Sequence, residues 1–74
     1  MESSKKEIIE IIGANIRTIR LSKGLTIERL AAESNMEYTQ LSRIELGQIN
    51  TSIYQVYKIS KALNVDVSAL FQNL

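Results

Sequence analysis

Apolar residues recur along this chain at helical spacing, and alternating apolar–polar runs of the strand type are missing, so the chain is predicted to be all-α. At roughly 100° per residue, Ile8, Ile9, Ile12, Ile16 and Ile19 share one stripe of a first helix over about residues 4–23. Ser3 or Ser4 is placed to cap it, with Lys5, Lys6 and Glu7 opening its exposed side. Gly13 inside it costs ~1 kcal/mol against alanine, so the helix is expected to start or bend there. Gly24 stops it in the left-handed geometry that glycine adopts freely.

A second helix is expected over about residues 27–33, capped by Thr26, with Leu30 and Ala31 facing inward. Ser34, Asn35 and Met36 form a tight turn in which Asn35 suits a positive φ. A third helix spans about 37–46, with Leu41 and Ile44 inward and Gly47 ending it. A fourth starts at a Thr51 or Ser52 cap and runs to Leu63, its stripe made of Ile53, Val56, Ile59 and Leu63, and Asn64 closes it. A short fifth helix is expected over 67–73, with Asp66 as cap and Leu70 and Phe71 facing inward or across a dimer seam.

With 74 residues and a 45% apolar fraction, the chain reads as one folded domain over residues 1–74. A domain of this size buries only about 60% of the surface its unfolded chain exposes, and dimerisation is a common remedy. The chain has no cysteine and no histidine, which removes disulfides, thiolate chemistry, the usual zinc and haem ligands and the commonest general base. Glu7 and Glu10 are the one tempting carboxylate pair, read as facing water and core respectively with no pocket implied, so no enzyme activity, cofactor or metal is expected. The absence of cysteine fits a cytoplasmic protein. The N-terminal stretch lacks a signal-peptide pattern, and no run approaches the ~20 apolar residues of a membrane span. Net charge is only +1, so any argument for nucleic acid rests on where the charges sit.

They sit tellingly on the third helix. With Leu41 at the centre of its buried face, Thr39 and Arg43 fall almost opposite, flanked by Ser42 and Gln40, with Tyr38 at the N-terminal end. Arginine forks onto guanine, glutamine onto adenine, and a threonine methyl packs on thymine. Any surface helix has a polar face; Ala31 narrows the reading. Helices joined by so short a turn cross closely, and a small residue lies where they meet. Arg20, at the edge of the first helix's stripe, and Glu45, beside Leu41 and Ile44, are opposite charges placed toward the core, where each needs a partner. They are read as a structural ion pair tying the first helix to the third.

The ordered pattern Arg20, Gly24, Leu25, Thr26, Leu30, Ala31, Asn35, Met36, Leu41, Ile44, Glu45, Gly47, then Ala62–Leu63 and Val65, resembles the Cro/cI-type (Xre family) helix-turn-helix regulators. The resemblance covers roughly residues 13–70, with the helix-turn-helix unit at about 26–47. A member this small looks like a restriction–modification controller protein, a phage-type repressor or an antitoxin. The resemblance implies a five-helix bundle, a homodimer and a palindromic operator on double-stranded DNA. It makes Tyr38, Thr39, Gln40 and Arg43 the base readers, and the Arg20–Glu45 pair is a family feature. Three positions depart from the family. Ile27 stands where a phosphate-bracing glutamine is usual, Asn35 replaces the turn glycine, and the loop Gln48-Ile49-Asn50-Thr51, usually basic, is uncharged.

Phosphate contacts are expected from Arg17, Lys23 and Arg29, from Thr26 and Ile27 at the start of the second helix, from Ser42 on the third helix, and from Gln48 and Asn50 through amides in the loop. Ile49, Tyr54, Tyr57, Val67, Phe71 and Leu74 exceed what one small core holds and are assigned to a dimer interface formed with the segment 52–73. The favoured function is a homodimeric, DNA-binding transcriptional regulator, activator or repressor. The alternative is an antitoxin or other protein-interaction module with secondary DNA binding; contact with a toxin or RNA polymerase is left open.

Overall fold

The computed structural model describes residues 4–74. Among them are four α-helices, α1 (Lys5–Ser22), α2 (Ile27–Glu33), α3 (Tyr38–Glu45) and α4 (Ile53–Leu63), followed by a 3-10 turn, Val67–Phe71. The fold is all-α, as the periodicity predicts, with the fifth element tighter and shorter than the expected α-helix. Of the two candidate first caps, Ser4 forms a capping box with Glu7, and Ser3 lies outside the described residues. Thr26 and Ser52 cap α2 and α4 by accepting from the Arg29 and Gln55 amides. Asp66 makes no side-chain cap bond.

The four α-helices end in one way. Gly24, Asn35, Gly47 and Asn64 stand at φ of 70, 53, 71 and 58°. The amide beyond each bends back to the helix's last turn: Leu25 to Arg20, Met36 to Ala31, Gln48 to Arg43 and Val65 to Ser60. This is the Schellman arrangement, which uses up carbonyls that would otherwise be orphaned. Asparagine tolerates the left-handed region better than other residues with a Cβ, so Asn35 does the work of the turn glycine.

The core is built from Ile16, Leu30, Ala31, Leu41, Ile44, Val56, Ile59, Leu63 and Leu70. Ile16 is the one member of the first stripe to be fully buried; Ile12 and Ile19 are half-buried and pack against the core. Three expectations need correction. Gly13 starts no helix: α1 runs through it, and its missing side chain makes room for another backbone. Ile53 is not core but 88% exposed; the α4 stripe has the right phase, but its burial begins only at Val56. Glu10 does not face the core: it is exposed, with the base of its side chain against Gly47.

The 3-10 turn reaches the core through Leu70, while Phe71 stays 39% exposed. Asn15 on α1 fastens this segment by donating from one amide nitrogen to the carbonyls of Leu70 at 3.0 Å and Gln72 at 2.8 Å.

Candidate nucleic-acid interface

α3 is held at three places along α1. A Cβ on Gly13 would lie 2.2 Å from the carbonyl oxygen of Ile44 and 2.8 Å from that of Glu45. The two backbones therefore touch with nothing between them. At Gly47, a Cβ would meet Glu10 at 2.7 Å. At the other end, Arg20 donates from Nε to Glu45 Oε2 at 2.7 Å and from Nη2 to Glu45 Oε1 at 3.0 Å. Its Nη1 donates to the carbonyl of Leu25 at 2.8 Å. One guanidinium thus joins α1, the loop before α2, and α3. Both partners are buried, and the fork geometry fits the two carboxylate oxygens as only arginine can. The hydrogen-bonded Glu45 carboxylate raises the Arg20 pKa above its ordinary value, against the opposing effect of burial.

So fixed, α3 turns Leu41, Ile44 and Glu45 inward and leaves Tyr38, Thr39 and Arg43 exposed. Gln40 and Ser42 are half-buried at its two flanks. α2 crosses behind, with Ala31 buried where the helices meet. The outer face of α3 carries one guanidinium, one phenol and one threonine hydroxyl and methyl, and no carboxylate: Glu37 is only its N-cap residue and makes no cap bond.

The phosphate candidates separate into groups. Arg17, Ile27, Ser42 and Leu46 line a cleft of about 220 Å³ between α1, α2 and α3, floored by the Arg20–Glu45 pair. Ile27 itself is half-buried and packs on the core, so its side chain cannot replace a polar brace there. Gln48 and Asn50 share a second cleft with the start of α1. Thr26 is exposed but spends its oxygen on the α2 cap. Arg29 is ion-paired along its own helix with Glu33, and Lys23 stands exposed at the end of α1, outside both clefts.

The residues assigned to a dimer seam also divide. Ile49 is half-buried and packs on the core, with its remaining surface in the cleft beside Gln48 and Asn50. Tyr54, Tyr57, Val67, Phe71 and Leu74 remain exposed, joined by Ile53. Tyr57 and Val67 flank one open cleft, of about 520 Å³, and Tyr54 and Tyr57 border another with Lys58 and Lys61. Lys58 lies over the Tyr54 ring, 5.1 Å from its centroid. Sequence reasoning missed the packing of Gly13 on α3 and the Asn15 anchor. A glycine kept inside a strongly periodic helix is the signal for the first; Asn15 gives none.

Residues 16–70 match the family described as helix-turn-helix. The chain belongs to the helix-turn-helix family of DNA-binding transcriptional regulators. Among its relatives is control protein C.BamHI of Bacillus amyloliquefaciens, 45% identical over 56 residues, which are 74% of this chain and 69% of that protein. The transcriptional regulator SlrR of Bacillus subtilis is 40% identical over 62 residues, 82% of this chain but only 41% of SlrR. The crystal structure of the restriction–modification controller protein C.AhdI from Aeromonas hydrophila superimposes with a TM-score of 0.83 at 31% identity, covering 88% of this chain and 97% of that one. These relatives are regulators of transcription or controller proteins. Among the described residues, no helix is long and apolar enough to cross a membrane, and no three potential metal ligands cluster.

Proposed function

We propose that this chain is a sequence-specific regulator that binds a palindromic operator as a homodimer, with α3 in the major groove. The observation that carries the reading is the outer face of α3. It is exposed, free of carboxylates, and locked to α1 by the Arg20–Glu45 fork and the Gly13 contact. A helix held this rigidly presents Tyr38, Thr39, Gln40 and Arg43 in one orientation, which is what direct readout of base edges requires. Arg17 and Ser42, beside the backbone at the start of α2, take phosphates from the cleft they share. The family resemblance to controller proteins makes regulation of a restriction–modification system the favoured setting.

The dimer reading rests on the exposed apolar side chains of α4 and the C-terminal segment, Ile53, Tyr54, Tyr57, Val67, Phe71 and Leu74. So many large apolar groups on one small molecule mark an interaction surface. A second copy placed there brings two α3 helices onto successive major-groove faces, ~34 Å apart.

One experiment tests both parts. The purified protein is used to select from random duplex DNA, beside Arg43→Ala, with sedimentation at micromolar concentration. The expected result is a two-fold symmetric consensus that loses preference at the arginine-read positions in the variant. A bidentate arginine–guanine contact is worth about 1–3 kcal/mol of discrimination, or roughly 5- to 150-fold. No enrichment from the wild-type protein, or a species that sediments only as a monomer, refutes the corresponding half.

A further inference from the structure

The family's loop after the recognition helix is usually basic, and here Gln48–Thr51 carries no charge. The structure brings charge to it from elsewhere. Lys5 and Lys6, some forty residues earlier in the chain, line an open cleft of about 330 Å³ with Ile9, Gln48 and Asn50. Gly47 holds the cleft shut at its base, since its backbone lies directly on Glu10.

From this we infer that Lys5 and Lys6, together with the amides of Gln48 and Asn50, form a seat for a DNA backbone phosphate. Three observations carry it. First, the lysines are the first two residues of α1, at the positive end of the helix dipole, where cations disfavour the helix. An anion in the cleft relieves that placement. Second, neither lysine is ion-paired among the described residues, although Glu10 lies against Gly47 at the cleft's base and Glu7 is close in sequence. Glu7 turns back to accept from the Ser4 amide, and this bond, with that to the Ser4 hydroxyl, holds its carboxyl below the usual range. Third, the cleft opens immediately beyond the end of α3, so a duplex with α3 in its groove runs its flanking strand past this point. Of the chain's nine cations, Arg20 and Arg29 are engaged in ion pairs. That leaves few to neutralise phosphates, and two of these few stand here.

The inference rests on the DNA-binding reading above and is tested so that the two fail separately. Duplex binding is titrated against salt for the wild-type protein, Arg43→Ala, and the double variant Lys5→Gln/Lys6→Gln. Each phosphate contact contributes about 0.9 to the slope of log affinity against log salt, so the double variant is expected to be shallower by about 1. It should lose affinity alike for selected and random duplex, with thermal stability unchanged or slightly raised, since two cations leave the positive end of α1. The variant Asn50→Asp, which leaves both lysines in place and sets a carboxylate in the cleft, is expected to weaken binding in the same sequence-independent way. An unchanged slope in the double variant, while Arg43→Ala still abolishes preference, overturns the seat and leaves the DNA reading standing. Absence of binding by the wild-type protein at low salt overturns both.

Discussion

Replacing Glu45 by alanine is expected to cost about 3–5 kcal/mol, because it leaves the Arg20 guanidinium buried without its counter-charge. Both side chains are buried and joined by two bonds, so the guanidinium loses both at once and only the cleft above it offers water in exchange. At roughly 0.05–0.15 kcal/mol per residue, a chain of this length has on the order of 4–11 kcal/mol to lose. About a quarter of that, at the least, goes with one carboxylate. At ~4 °C or more per kcal/mol in domains this small, the melting temperature falls by at least ~12 °C. The companion change separates the pair's stability from its geometry. Converting both residues to leucine removes both charges and is expected to restore most of the lost stability, since apolar replacement of a buried pair is often neutral. It removes the fork that fixes α3 at the Arg20 end of α1, leaving only the Gly13 and Gly47 contacts, so duplex discrimination should not return in full with it. A Glu45→Ala protein that melts like the wild type would remove the pair from any structural role.

The second large effect is a matter of sign. Gly13 lies in the middle of an 18-residue helix, where alanine is normally the better residue by ~1 kcal/mol. The site reverses that preference. The added methyl would come within 2.2 Å of the Ile44 carbonyl oxygen, and a backbone atom in a packed helix cannot rotate away. α3 must back off from α1, stretching the Arg20–Glu45 fork and opening the core around Ile16 and Leu41. Overpacking of this kind costs typically ~1–3 kcal/mol, occasionally more. Against rigid backbone the cost falls at the high end, so Gly13→Ala is expected to destabilise by ~2 kcal/mol after the gain in helix propensity. Urea unfolding with an unchanged m-value measures it. A variant as stable as the parent, or more so, would show that α1 and α3 do not meet there.

Most of the scaffold is legible in the sequence, and the residues that resist are informative. Helix ends are written locally: Gly24, Asn35, Gly47 and Asn64 each need only their own helix to act. Arg20 and Glu45 are legible because helical phase alone turns both inward, and buried opposite charges need each other. Gly13 is visible as an anomaly but not as a contact, since the group it makes room for is a carbonyl more than thirty residues away. Ile53 carries the right phase and the wrong burial, because periodicity says which side of a helix is apolar and not how far along it the neighbours extend. The 3-10 form of Val67–Phe71 is set by how far the chain must reach to seat Leu70, a tertiary matter. At the candidate interface, the face of α3 follows from its own wheel. The junction of Lys5 and Lys6 with Gln48 and Asn50 depends on the crossing of α1 and α3 and has no local signature.

The repeated helix ending has a kinetic consequence. Each boundary is closed by bonds that reach back little more than one turn, such as Met36 to Ala31 and Gln48 to Arg43, so it forms before distant parts of the chain meet. Helical domains dominated by local contacts fold in microseconds to milliseconds, and without proline there is no slow isomerisation phase. Synthesis at ~5–20 residues per second takes roughly 4–15 s for these 74 residues. Folding of the single chain is then faster than its manufacture by at least about three orders of magnitude, so any lag between translation and working protein belongs to the proposed pairing of two copies.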